Sequence, residues 1–226
     1  MRKTMLAPFA LALLLTLGTA VHADDDKSAD AKVQSDKDSK KDAQPIPPER
    51  SVVTRHSVRI NGKTIDYTAT AGTLLIKDDK GKPTVSFFYV AYTVGDGKPG
   101  KRPVTFMYNG GPGSSSMWLH MGSFGPVRVA NKGDQPIPPP PYQTVPNDDS
   151  LLDKTDLVFV DAPGTGYSQL VGSAEGKNFY GIDQDADAFA KFITRYVGIN
   201  HRWNSPKFLF GESYGTTRSA VLVKVL

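Results

Sequence analysis

Two short apolar runs restrict this chain more than any other feature. Leu157 to Val160 (LVFV) and Phe208 to Phe210 (FLF) are too short for helices and show no polar alternation. Each therefore reads as a strand buried on both faces. Between them, Ile182, Ala186, Phe189, Ile193, Tyr196 and Val197 recur at helical spacing, and a second helix-like run starts at Thr216. Strand, helix, strand, helix specifies an α/β fold with helices packed on a central sheet. With 226 residues, 39% hydrophobic and 22% charged, the chain has the size and composition of one globular domain and a tail.

Upstream the pattern alternates. Val58 and Ile60 face one way, between His56, Arg59 and Asn61, and Asn61-Gly62 is a two-residue hairpin signal. A second strand runs through Ile65 and Tyr67. A third, Thr84 to Thr93, is rich in aromatic and β-branched residues, which together predict an antiparallel meander. Val104 to Tyr108 is a further short strand that ends in the glycine-rich NGGPGSSS.

The ends differ in character. Residues 1–23 have a charged start (Arg2, Lys3), an apolar stretch from Leu6 to Val21 and small residues at Val21 and Ala23, the pattern of a cleaved export signal. Pro8 interrupts the stretch, which is shorter than the ~20 residues of a spanning helix, so no stable membrane anchor is expected. Residues 24–50 are mostly Asp, Lys, Ser and Ala and read as a disordered tether, leaving residues 51–226 as the folded part. The formal net charge is +4, two units of it from Arg2 and Lys3, too small a bias to argue for nucleic acid. There is no cysteine, which excludes disulfides, thiol catalysis and Cys-ligated metal. The proline tract Pro136 to Pro141 reads as a stiff extended connection.

Gly211-Glu212-Ser213-Tyr214-Gly215 fits G-x-S-x-G, and it lies where that pattern has mechanical meaning, between a strand and a helix. Glycines on both flanks permit a sharp turn that lifts the Ser213 oxygen above the sheet as a nucleophile. The Tyr214 N–H and the helix start then face a developing oxyanion. Asn109-Gly110-Gly111-Pro112-Gly113 ends the strand before it, and its glycines let backbone amides approach a ligand. It is not a phosphate loop, because no Gly-Lys-Ser/Thr follows. Asp183, Asp185 and Asp187 imitate the start of a calcium loop, but Ala188 and Thr194 occupy positions that need Gly and Glu. These acids are expected to favour the helix start. Met117 and Trp118 follow the glycine-rich loop and suit either a substrate pocket or the core.

Taken together, NGGPGSSS, DAPGTGYS (Asp161 to Ser168) and GESYG resemble the three motifs of the serine carboxypeptidase family, in the same order and spacing, over about residues 84–226. The resemblance implies an α/β-hydrolase fold, with a mixed central sheet and antiparallel N-terminal strands, and a secreted peptidase that needs no cofactor and no metal. It implies that Ser213 attacks the acyl carbon, that the N–H groups of Gly111 and Tyr214 hold the oxyanion, and that Asn109 and Glu212 bind the C-terminal carboxylate of a peptide. Two positions depart from the family. Ser114 stands where the family has a disulfide-bonded Cys. Ser123 stands where it has a second glutamic acid that shares a proton with the one beside the nucleophile. Two close carboxyls retain a proton and favour acid pH, so Ser123 predicts activity nearer neutral pH.

A serine nucleophile needs a base and an orienting acid, which follow it in α/β-hydrolases in the order Ser, Asp or Glu, His. No Asp, Glu or His follows Ser213. His56, His120 and His201 precede it and are expected to have no catalytic role. The sequence thus reads as the front part of a hydrolase, truncated after the nucleophile helix and almost inactive in isolation. An esterase or acyltransferase of the same fold, or a non-catalytic remnant, are the alternatives.

Overall fold

The computed structural model describes residues 43–95, 102–131 and 139–226. The expected export signal (1–23), residues 24–42 of the tether and residues 136–138 of the proline tract lie outside them. The strands are β1 (Ser51–Ile60), β2 (Lys63–Lys77), β3 (Pro83–Val94), β4 (Val104–Tyr108), β5 (Val127–Val129), β6 (Thr144–Pro146), β7 (Asp156–Val160), β8 (Gln169–Leu170) and β9 (Lys207–Gly211). The helices are the short α1 (Met117–Leu119), α2 (Ile182–Ile199) and α3 (Tyr214–Val225), and a π-helical turn, His120–Phe124, continues α1.

The main sheet is mixed, with strand order β1-β2-β3-β7-β4-β9 and β8 paired to β3. The meander is antiparallel, as its sequence predicts, and β3 also pairs antiparallel with β7. Asn61 and Gly62, at φ 48° and 79°, make the turn from β1 to β2. Both central positions of such a tight hairpin take positive φ, which Asn and Gly tolerate best. Strands β7, β4 and β9 run parallel.

Side chains alternate between the two faces of the sheet. Val85, Phe87 and Tyr89 of β3, Phe106 and Tyr108 of β4, and Val158 and Val160 of β7 bury against Phe189, Phe192, Ile193 and Tyr196 of α2. The opposite face buries Val58, Tyr67, Tyr92, Met107, Leu157 and Phe159 with Leu119 and Leu152. Each large apolar side chain contributes roughly 1.5–3 kcal/mol by leaving water. At the end of the sheet where β7 begins, Asp156 accepts from Arg102 Nε at 2.7 Å, Arg202 Nη1 at 2.6 Å and Val94 N at 3.1 Å. This network ties β3, β7 and the loop after α2.

Two expectations need adjustment. Residues 43–50, assigned above to the disordered tether, are held: Gln44 pairs with Gly172, and Glu49 accepts from Leu75 N at 2.6 Å and from Arg195 at 2.7 and 2.9 Å. Polar groups anchored this segment to the sheet edge where apolar content predicted nothing. In β9, Phe208 is 55% exposed rather than buried, because β4 is its only pairing strand among the described residues. No helix among the described residues is long and apolar enough to cross a membrane.

Candidate active site

The parallel strands β7, β4 and β9 end at one edge of the sheet, and each runs into a motif: Asp161–Ser168 after β7, Asn109–Ser116 after β4 and Glu212–Ser213 after β9. Loops at the C-terminal ends of parallel strands form the usual ligand crevice of such sheets. The register Tyr108↔Gly211 sets Asn109 directly beside Glu212.

Ser213 turns the chain from β9 into α3 with φ 55° and ψ −122°. Such a conformation costs a non-glycine residue about 1–3 kcal/mol and persists only where the surroundings impose it. Here they do. Glu212 N donates to Tyr108 O at 3.2 Å, Gly215 N to Glu212 O at 2.8 Å and Thr216 N to Ser213 O at 2.9 Å. The flanking glycines are needed sterically, since a Cβ at Gly211 would lie 2.0 Å from Gly215 O. Ser213 is exposed, and its Oγ has no hydrogen-bond partner among the described residues. α3 therefore begins at Tyr214, immediately after the serine, two residues earlier than the sequence reading placed it.

The loop after β4 touches this turn backbone to backbone. A Cβ at Gly110 would stand 2.5 Å from Tyr214 N and 2.6 Å from Glu212 O, and Gly111 has φ 105°. Neither the Gly111 nor the Tyr214 N–H donates to any described residue. Side chains hold the rest of the loop. Asn109, 3% exposed, accepts from Leu119 N at 3.0 Å through Oδ1 and donates Nδ2 to Glu212 Oε2 at 3.0 Å. Ser116 N donates to Asp161 Oδ1 at 2.8 Å, and its hydroxyl donates to Val160 O. Asp161 Oδ2 accepts from Tyr167 N at 3.1 Å. Burial pushes the Asp161 carboxyl above its ordinary value, and the Ser116 and Tyr167 N–H bonds pull it partly back. A Cβ at Gly166 would sit 2.0 Å from Asp161 Oδ2, so the glycine makes room for the carboxyl.

The structure thus brings together Ser213, Gly111, Tyr214, Asn109 and Glu212. None of the three described histidines bonds to Ser213. His56 contacts Thr54, His201 is exposed, and His120 is half-buried, stacked on Phe159 with Nε2 2.6 Å from Tyr92 Oη. Ser123 donates to Trp118 O at 3.3 Å. Met117 and Trp118 are 53% and 66% exposed, so they do not belong to the core. No group of acidic or histidine residues that could hold a metal occurs among the described residues. Asp187 pairs with Lys191, and Asp185 is buried against Arg218.

That last pair was missed by sequence reasoning, which assigned Asp185 to the helix dipole. Arg218 is fully buried, donates Nε and Nη2 to the Asp185 carboxylate at 2.7 and 3.1 Å, and donates Nη1 to Asn109 O at 2.9 Å. The available signal was a lone arginine soon after Ser213, in the first half of a run whose second half is mostly apolar.

The family model described as serine carboxypeptidase matches residues 62–225. Over 145 residues the chain is 31% identical to the pheromone-processing carboxypeptidase KEX1 of Saccharomyces cerevisiae, covering 61% of this chain and 19% of that protein. It is 30% identical over 142 residues to the serine-type carboxypeptidase F of Aspergillus niger, covering 62% of this chain and 24% of the relative. The matched region therefore spans about a fifth to a quarter of the length of these relatives. Among solved structures, a CocE/NonD family hydrolase from Staphylococcus aureus aligns with a TM-score of 0.44 at 12% identity, over 78% of this chain and 29% of that one.

Proposed function

The chain belongs to the serine carboxypeptidase family, matched over residues 62–225, and on that premise we propose that the protein is an exported peptidase of α/β-hydrolase fold that removes C-terminal residues from peptides through an acyl-enzyme. The observation that carries this reading is Ser213 at φ 55° between β9 and α3, with Gly110 packed against the Tyr214 amide nitrogen.

In this reading Ser213 Oγ attacks the scissile carbonyl carbon. The carbonyl oxygen becomes an oxyanion that accepts from the Gly111 and Tyr214 N–H groups, which no described residue occupies. The positive end of α3 favours the same charge. The C–N bond breaks, the amine leaves with a proton, and water then hydrolyses the Ser213 ester. Asn109 and Glu212 lie where a terminal carboxylate would sit beside the nucleophile. Asn109 Nδ2 has a second N–H to offer to that carboxylate.

The serine proton needs a base, and the base needs an orienting acid. No described histidine contacts Ser213, so in this reading the base comes from outside the described residues. The intact mass of the natural mature protein tests that requirement: a mass well above that of residues 24–226 supports it. Export rests on the leader at residues 1–23, and N-terminal sequencing of the mature protein should begin at Asp24.

The decisive experiment uses the intact natural protein. Fluorophosphonate should label Ser213, labelling should vanish in Ser213→Ala, and an N-blocked dipeptide with a free carboxylate should be cleaved in preference to its C-terminal amide. Turnover of simple esters with neither peptide cleaved would point to an esterase or acyltransferase. No labelling of the folded protein would leave a non-catalytic remnant.

A further inference from the structure

Gly110 and Gly111 present a mechanical problem. Close approach to the nucleophile turn forbids a side chain at Gly110, and Gly111 adopts a φ of 105°. Two successive glycines have no side chains to pin them and are the least restrained residues of a chain. An oxyanion donor is effective only if it is already aimed before charge develops. Something outside the pair has to orient it.

Arg218 meets that need. Its side chain is among the largest of the described residues that are completely buried. Asp185, in the first turn of α2, takes two of its N–H groups. The third direction of the fork goes to a main-chain acceptor, Asn109 O, at 2.9 Å. That carbonyl belongs to the peptide entering Gly110, so fixing it sets how the Gly110-Gly111 peptide is presented. The guanidinium also lies over the rings of Phe189, Tyr108 and Tyr214, at 4.3, 5.1 and 5.4 Å. Tyr108 immediately precedes Asn109 and Tyr214 immediately follows Ser213. One side chain therefore contacts the root of the glycine loop, the residue after the nucleophile and the helix beneath both.

We infer that Arg218 is a positioning residue: anchored by Asp185, it locks the loop bearing the Gly111 N–H to the nucleophile turn. The inference rests on the hydrolase reading above. A buried ion pair kept only for stability is replaceable by apolar packing. What apolar packing or a lysine does not reproduce is a planar fork that binds a carboxylate with one side and a loop carbonyl with the other.

The test is Arg218→Lys in the intact protein. Lysine keeps a positive charge opposite Asp185 and loses the fork to Asn109. Fluorophosphonate labelling of Ser213 should slow on the order of tenfold or more while still running to completion. Amide hydrogen exchange should rise across residues 109–116 and stay unchanged in β1 to β3. A purely structural role would instead lower the final extent of labelling in step with the folded fraction. That result, or an unchanged labelling rate, overturns the inference. Should the lysine variant fail to fold, nitrogen-15 NMR of the unmodified protein decides. Slowly exchanging Arg218 guanidinium protons support the lock, and exchange as fast as that of surface arginines overturns it. The two readings fail differently. A folded unmodified protein that does not label sinks the hydrolase reading and the lock with it. Normal labelling in both the unmodified and lysine forms sinks the lock alone.

Discussion

A Cβ on Gly110 would stand 2.5 Å from the backbone nitrogen of Tyr214. The glycine-rich loop and the Ser213 turn thus meet with no side chain between them, across more than a hundred residues of chain. Gly110→Ala must separate the two, because backbone atoms on both sides leave nothing flexible to move. Ser213 labelling by fluorophosphonate should fall by about 100-fold, the scale for loss of one oxyanion donor. Gly122→Ala, where a Cβ meets nothing within 4 Å, is the control and should label normally.

Removing Asp185 leaves Arg218 as an uncompensated buried charge. Asp185→Ala should destabilise the fold by about 3–5 kcal/mol, read as a lower urea midpoint. Asp187→Ala removes an exposed partner of Lys191 and should change stability by less than about 1 kcal/mol.

Burial lowers the pKa of His120 from the ordinary 6.5 to about 4. Its native state resists protonation while the unfolded chain accepts it, so stability is complete above pH 6.5 and falls as pH drops toward 4. The difference corresponds to about 3 kcal/mol. Urea unfolding at pH 7 and pH 4 should show the loss. In His120→Phe that part of the pH dependence should disappear, whatever the variant costs at neutral pH.

Glu212 Oε2 accepts from a neutral amide, that of Asn109, and in the proposed reading Ser123 takes the place of the family's second carboxyl. With no proton to be retained between two acids, peptide cleavage by the intact protein should persist toward neutral pH. A kcat/KM profile collapsing above about pH 6 would contradict this, since it would require a proton held in the way two neighbouring carboxyls hold one.

Much of the candidate site's local geometry was legible because it is written in contiguous residues. A nucleophile turn needs glycine, serine and glycine at fixed offsets between a strand and a helix, and a close backbone approach needs paired glycines at a strand end. The same holds for the Asn61-Gly62 hairpin, where two adjacent residues set the turn. Alternation at Val58 and Ile60 of β1 and helical spacing in α2 placed buried residues correctly, except at Ile182, which is 49% exposed. What the residues did not show by themselves were relations across the chain. Asp185 looked like an acid at a helix start, and Arg218 like one more polar residue, until α2 and α3 packed side by side and closed a buried pair 33 residues apart. His120 acquired its low pKa, and Phe208 its exposure, from neighbours on other strands. Local backbone chemistry is a property of adjacent residues, so sequence determines it directly. Burial, charge pairing and the aim of a loop depend on which distant elements share a face, and only the tertiary structure decides that.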